Sequence, residues 1–466
     1  MVTTLGALMA NLDSTIVVIG LPTLLEDLNA TIVHGIWIIT GYQLIITILL
    51  VVLGRLADMR GRVKLYNLGF AVFTIGSLFC GLSRNGEQLV AFRILQGAGG
   101  AMLIANSAAI VTDAFPRHQL GTGLGINMMA GTLGAIAGYT LSGVMIAMFG
   151  WRSIFLVNVP IGIFATYWGH KQLKEVAARP TGQKFDYAGA ILYCVGLSVI
   201  LLALTIGDPL SVRNLTILAG GFTLFLAVVF VETRQMYPTL DVSLFRIRSF
   251  AAGNTAGFLN SLAFHCGPFL RSLYLQMVLG YNPLKAGAIL IPMEFLVFIV
   301  TPISGRLSDK YGHRWLSSIG LALNASALFW FSTLNENTPF GTVLISLGLF
   351  GFGRALFFPP NTSSVMGSVP AEKRGVANGM RTTLNHTGNA LSIPFSLMLM
   401  TLVMPYDRLS QIVSGSQLVS SNELLTFLKA INHACLVLGI ITALAIIPSF
   451  LRGKRVSASP NSKITG

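Results

Sequence analysis

The sequence predicts an all-α polytopic membrane bundle of fourteen transmembrane helices, in two six-helix pseudo-symmetric halves with two extra helices between them. Composition is the first reason. Of 466 residues, 53% are hydrophobic and 10% charged, whereas a soluble domain carries about 25% charged residues. So few charges cannot cover a water-facing surface. Second, apolar runs recur from end to end at ~20 residues, the length that crosses a bilayer. Third, one loop motif occurs twice, each time between two such runs.

The runs are continuous rather than alternating, which selects helices over barrel strands. Spans are expected over 3–24, 35–55, 64–83, 88–112, 121–148, 153–170, 187–206, 214–231, 250–277, 284–304, 315–334, 340–360, 376–403 and 431–450. The first run carries a carboxylate, Asp13. No basic stretch precedes this run and no small-residue cleavage site follows Pro22, so it reads as a span and not as a signal peptide. The fifth is rich in glycine (Gly121, Gly125, Gly131, Gly134, Gly138, Gly143), mostly on one face, where another backbone can approach closely. Spans 187–206 and 214–231 have no counterpart elsewhere. The segment Pro405 to Lys429 is expected to be a polar loop, and the basic, Ser-rich tail after Leu451 to be disordered. The organisation that follows is an N-terminal half over 1–175, two linker helices over 176–245, a C-terminal half over 246–450 and a tail over 451–466.

Charge orients the bundle. Most Lys and Arg fall in alternate connections, among them Arg55, Arg60, Arg62, Arg306, Lys310 and Arg314. The other connections hold only Arg84, Arg152, Arg213, Lys285, Arg408 and Lys429. This bias places the first set, and both termini, in the cytoplasm. It also accounts for the net charge of +14 through anionic lipid, without nucleic acid as a partner. Localisation in the cell membrane follows. Cys80, Cys194, Cys266 and Cys435 lie singly in apolar runs, which is neither a disulfide framework nor a metal spacing.

The repeated motif is Gly54-Arg55-Leu56-Ala57-Asp58-Met59-Arg60-Gly61-Arg62, and again Gly305-Arg306-Leu307-Ser308-Asp309-Lys310-Tyr311-Gly312-His313-Arg314. Pro116, Gly121, Gly125 and Gly134 match Pro370, Gly375, Gly379 and Gly388 at one constant offset. Two halves of the same hydropathy mark a secondary transporter with its site between them.

On these residues the chain resembles the major facilitator superfamily, and within it the fourteen-span drug/proton antiporter branch. The stretch Gly54 to Lys64 is similar to the family's motif between helices two and three. Leu12-Asp13-Ser14-Thr15 through Pro22 is similar to the branch's first-helix motif, and Arg93-Ile94-Leu95-Gln96-Gly97 to its fourth-helix motif. Trp151-Arg152-Ser153, with Asn158, Pro160 and Gly162, is similar to the entry of the sixth. The fifth-helix antiporter motif, normally Gly-Pro-x-x-Gly-Gly, here reads Gly138-Tyr139-Thr140-Leu141-Ser142-Gly143. Val18, Gly20 and Met59 also depart from the usual pattern.

Asp13, in the middle of its span, would be costly on insertion scales by ~2.5–3.5 kcal/mol, unless it faces a wet cavity or binds a proton. Such a group can exchange a proton for a cationic substrate. Glu294, two residues after Pro292, is a second candidate, since a proline-freed carbonyl often marks a cavity wall; Arg271 and Arg354 are its possible structural partners. Arg93, with Gly97 and Ala101 on the same face, can hold a carboxylate ionised, and the resemblance implies a part in proton transfer. Arg354 and Arg381 are further span cations, and their excess over span carboxylates would suit an anionic or zwitterionic substrate. His265 and His386 are lower-ranked cavity candidates. The resemblance also implies that Gly54, Asp58, Arg62, Gly305, Asp309 and Arg314 gate the cytoplasmic side, and that Gly134, Gly138 and Gly143 belong to the antiporter-motif helix.

No GxxxxGK[ST] pattern occurs, so an ion gradient rather than ATP is the expected energy source. No catalytic residue, metal site or cofactor is expected, and no enzyme activity. The function expected is proton-coupled efflux of amphipathic, drug-like small molecules by a monomer working through alternating access. A proton-coupled metabolite symporter of the same fold is the alternative, favoured by the altered fifth-helix motif and the surplus arginines. A non-transporting membrane sensor is a remote third.

Overall fold

A computed structural model of the protein describes residues 2–114, 120–173, 175, 187–206, 208–209, 211–234, 242–370, 373–413 and 420–452. The side chains of Asp58 and Asp309, and residue Pro116, lie outside the described residues, as does the tail from 453 onward. Among the described residues every regular element is helical. The first group comprises α1 (Val2–Asp27), α2 (Ile32–Arg60), α3 (Arg62–Leu82), α4 (Gly86–Ala114), α5 (Leu120–Phe149), α6 (Ser153–Leu156) and α7 (Asn158–Gln172). Then come α8 (Tyr187–Thr205) and α9 (Val212–Glu232). The last group comprises α10 (Arg248–Phe264), α11 (Cys266–Leu273), α12 (Pro283–Tyr311), α13 (His313–Phe331), α14 (Phe340–Gly367), α15 (Arg374–Thr401), α16 (Tyr406–Val413), α17 (Ser421–Leu444) and α18 (Ile446–Phe450). Among the described residues nine helices are long and apolar enough to cross a membrane, or ten if the pair Val376–Thr401 and Tyr406–Val413, bent by 118°, is one span.

The two copies of the repeated motif fold alike. Each ends a long helix, and one glycine makes the whole turn to the next: Gly61 at φ 112° and Gly312 at φ 87°. Their N–H groups bond back to the carbonyls of Ala57 (2.8 Å) and Ser308 (2.9 Å). Only glycine holds such a backbone without strain. Asp58 and Asp309 therefore do not head loops, as expected from the sequence, but sit in the last turns of α2 and α12. The turn is one residue long, so the helix continues through the polar motif. The glycine turns mark what is here the motif end of the bundle.

Packing joins the groups in pairs: α1 lies on α5, α2 on α4, α5 on α12 and α2 on α15. The pair α8–α9 rests on α2 and α15, through an apolar cluster of Leu44, Tyr193, Leu197, Leu201, Val228 and Ala390.

Three spans differ from expectation. The ninth is broken at His265 into α10 and α11, and continues as a π-helical turn over Tyr274–Val278; Pro268, two residues into α11, has no N–H to carry the α10 ladder forward. The sixth is interrupted at Val157. The last begins at Ser421 rather than 431, and the expected polar loop also holds α16. Ser420 and Glu423 form a capping box: Ser420 Oγ accepts from the Glu423 N–H at 3.3 Å, and Glu423 Oε2 accepts from the Ser420 N–H at 3.1 Å. Such a box starts a helix even over polar residues, and it carries Lys429 into α17.

Candidate functional site

The first site is a sealed polar cluster. Asp13 of α1 is fully buried, as is Arg93 of α4. Arg93 Nη1 donates to Asp13 Oδ2 at 2.5 Å, and Nε donates to the carbonyl of Ile38 in α2 at 3.0 Å. Gln96 Nε2 donates to Asp13 Oδ1 at 2.7 Å and to Ser77 Oγ at 2.7 Å, while its Oε1 accepts from Arg93 at 2.6 Å. Asn158 Nδ2 of α7 adds a contact at 3.2 Å. The guanidinium lies 4.1 Å over the Tyr42 ring. A buried ion pair survives when its remaining polar capacity is met by hydrogen bonds, and five helices (α1, α2, α3, α4, α7) do that here. Sequence reasoning does not single out Gln96, Asn158 and Ser77, although Gln96 and Asn158 lie inside recognised motifs. Nor does Gly97 leave room for the guanidinium, as its place on the Arg93 face suggests. Instead it admits α2, since a Cβ there would lie 2.9 Å from the Tyr42 carbonyl oxygen.

The second site lies in the last group. Glu294 of α12 is buried, and its Oε1 accepts from Arg354 Nη1 of α14 at 2.7 Å, while Arg354 stays 27% exposed. Of the two arginines considered as its partner, Arg354 is the one that pairs with it. Arg271 is 1% exposed. Its guanidinium sits 4.3 Å over Phe350 and 4.9 Å over Phe331, with Nε and Nη2 lacking a hydrogen-bond partner among the described residues. Phe350 is parallel to Phe264 (3°, 5.9 Å), and Arg354 covers Phe264 at 4.1 Å. Tyr139 of α5 lies within electrostatic reach of Glu294, Arg354 and Arg271, so α5 faces this cluster at that residue. No described contact joins the Asp13–Arg93 pair to the Glu294–Arg354 pair.

In α1 the stripe Leu8, Asn11 and Ser14 is partly or fully exposed, yet every residue from Ile16 to Pro22 is enclosed. In α10 the stripe Thr255, Leu262 and His265 is likewise open, and every residue from Cys266 to Gln276 is enclosed. In both helices, then, the half toward the motif end carries an accessible stripe and the half beyond it is enclosed. His265 lies within electrostatic reach of Arg354 and His386. Arg381 of α15 donates to Asn378 Oδ1 at 3.0 Å and Thr362 Oγ1 at 3.3 Å.

Within α2, α5, α12 and α15 the glycines divide by end. A Cβ on Gly54, Gly125, Gly305 or Gly379 would meet nothing within 4 Å. At the other end, one on Gly143 would strike Leu284 of α12, and one on Gly287 would strike the Tyr139 carbonyl. Gly134 and Gly138 bring α5 onto the α1 backbone at Leu8 and Leu12. Gln276 Nε2 also reaches the Ile19 carbonyl at 3.3 Å, so backbones interlock there. Arg62 makes two 2.7 Å contacts to Asp113 at the end of α4. Arg314 stacks 3.7 Å over Phe450.

The profile described as Major Facilitator Superfamily matches residues 3–393 and 255–464. The riboflavin transporter RibZ of Clostridioides difficile is 30% identical over 90% of this chain and 91% of its own. The tetracenomycin C resistance and export protein of Streptomyces glaucescens is 30% identical over 83% and 72%. Among solved structures, a bacterial homologue of the human lysosomal transporter Spinster, in an inward-facing and unoccupied conformation, superposes with a TM-score of 0.70 at 15% identity, covering 97% of this chain and 95% of that one. The sealed acid–base cluster, the twice-used motif and this chain-long similarity have one account: the protein belongs to the Major Facilitator Superfamily.

Proposed function

We propose that the protein is a proton-coupled efflux antiporter for amphipathic, drug-like compounds. It works as a monomer in the cell membrane with both termini cytoplasmic, and it draws on the proton gradient without a cofactor. In this reading fourteen crossings form two six-helix lobes, over 1–175 and 246–450, that rock about a shared cleft. The observation that carries it is the division of the glycines along α2, α5, α12 and α15. Gly54, Gly125, Gly305 and Gly379 stand clear at the motif end, while Gly143 and Gly287 are engaged at the other. One end closed and the other open is the arrangement alternating access requires. Closing the motif end would bring α2 toward α15 and α5 toward α12, using the same four glycines for close backbone contact.

Asp13, Arg93 and Glu294 carry the coupling in this reading. Each carboxylate is held by one arginine (2.5 and 2.7 Å), so protonation releases an arginine and loosens a contact between helices. Gly54, Asp58, Arg62 and their counterparts Gly305, Asp309 and Arg314 act at the gate. The relatives' names, export of tetracenomycin C among them, support an amphipathic, drug-like substrate. Uptake by symport is the second reading, supported by Tyr139 where antiporters of this branch carry proline and by the name riboflavin transporter of a relative. In everted vesicles, the substrate should release protons from the lumen, and Asp13→Asn or Glu294→Gln should abolish that release. Release that survives both substitutions removes those residues from coupling. Flux in the uptake direction under an imposed pH gradient establishes symport instead.

A further inference from the structure

Within α15 the residues Asn378, Arg381, Thr382, Asn385 and Asn389 recur at helical spacing and form one face that is polar throughout. All five are partly exposed. The opposite face is occupied, since Thr387 is hydrogen-bonded to Tyr193 of α8 at 2.6 Å. The polar face is thus turned away from α8 and toward α10 and α14: a Cβ on Gly257 would sit 3.0 Å from Asn385 Oδ1, and Arg381 reaches Thr362. A membrane helix gains nothing from such a face unless something polar meets it. The neighbours supplied are neutral. Arg381 is bonded to an amide and a hydroxyl, and among the described residues it pairs with no carboxylate. Its Nε, His386 Nδ1 and Asn389 Oδ1 have no partner there either. No Asp or Glu occurs anywhere in α15. The two span carboxylates singled out above are committed elsewhere: Glu294 is held by Arg354, and Asp13 is sealed behind Arg93. A partly exposed face whose guanidinium has no carboxylate partner among the described residues repels cations and favours an anion.

We propose that the α15 face built on Arg381 binds an anionic group of the substrate, a carboxylate or an ionised phenol, with Asn385 and His386 orienting it. Guanidinium matches the planar two-oxygen geometry of a carboxylate. This rests on the transport reading for the word substrate; binding itself can be tested without flux. The apolar rings of Phe258 and Phe358, on the neighbouring helices α10 and α14, would take the hydrophobic part of the same molecule.

The test uses the full chain in lipid nanodiscs and a matched pair of probes, 1-naphthoate and 1-naphthylmethylammonium, read by thermal shift and calorimetry. Naphthoate is expected to bind at least about tenfold more tightly than the ammonium, as a charged hydrogen bond in a partly desolvated site would give. Arg381→Gln should erase that preference, and Arg381→Lys, which keeps the charge, should retain part of it. The wild-type preference is informative even if Arg381→Gln fails to fold. The proposal is overturned if the ammonium binds as well as the naphthoate, if neither binds, or if the preference survives in a folded Arg381→Gln. Anion binding without proton-linked flux in vesicles would defeat the transport reading and leave this site standing.

Discussion

Gly143 of α5 and Leu284 of α12 meet backbone to backbone, with no room for a side chain on the glycine: a Cβ there would come within 2.7 Å of the Leu284 amide nitrogen. This contact joins the first group of helices to the last at the end away from the repeated motif. Gly143→Leu should hold that end apart. The expected result is faster amide hydrogen exchange across 139–149 and 280–290, with exchange in α13 unchanged. Protection equal to wild type would mean that α5 and α12 part readily, and that the contact does not set the conformation.

The motif end behaves in the opposite sense. Gly54 and Gly379 face open space, so Gly54→Leu and Gly379→Leu should leave thermal stability within about 0.5 kcal/mol of wild type, as is usual for substitutions that disturb no contact. Transport in vesicles should nevertheless fall by roughly tenfold or more, because the closed motif end cannot form. Normal stability with normal flux would show that the helices do not converge at these positions.

Asp13 and Arg93 should be inseparable in stability. Removing one partner of a buried ion pair leaves an uncompensated charge, at a cost of about 3–5 kcal/mol. Asp13→Asn is therefore expected to lower the Tm markedly. The double variant Asp13→Asn with Arg93→Gln should regain most of the loss, because Gln96, Asn158 and Ser77 can bond neutral amides. A double variant less stable than Asp13→Asn would assign Arg93 a separate structural duty, through Ile38 and Tyr42.

Arg271 offers the reverse case. It is buried over Phe331 and Phe350, without a hydrogen-bond partner for Nε or Nη2 among the described residues. Arg271→Met keeps the length and removes the desolvated charge, so its Tm should equal or exceed that of wild type. A loss of more than about 2 kcal/mol would show that the attraction to the two rings outweighs the cost of burying the charge.

How much of this was legible in the sequence depends on the range of the interaction. Local rules carried far. Continuous apolar runs gave helices, and the glycines ending the two motifs mark single-residue turns. Ser420 and Glu423 carry a local signal as well, but hydropathy outweighed it because the surrounding residues are polar. The break at His265 falls inside an unbroken apolar stretch, where hydropathy is silent and only Pro268 hints at it. Long-range partners were the least visible. Asp13 and Arg93 stand 80 positions apart and meet only once α1 and α4 are packed together. Gln96 lies one helical turn from Arg93, but nothing periodic in the chain links it, or Asn158, to Asp13. Nor does sequence tell whether Glu294 takes Arg271 or Arg354, since both are within a plausible reach until the helices are placed.

The pair α8–α9 has a mechanical implication. It lies across the seam between α2 and α15 and touches it mainly through Leu44, Leu197, Leu201 and Ala390, with a hydrogen bond between Tyr193 and Thr387. Aliphatic contact has no preferred direction, so the two sides can slip beneath this pair without breaking a ladder of bonds. It would serve as a greased bearing, keeping lipid tails out of the seam while it shears, with Tyr193 as the pin that fixes it to one side.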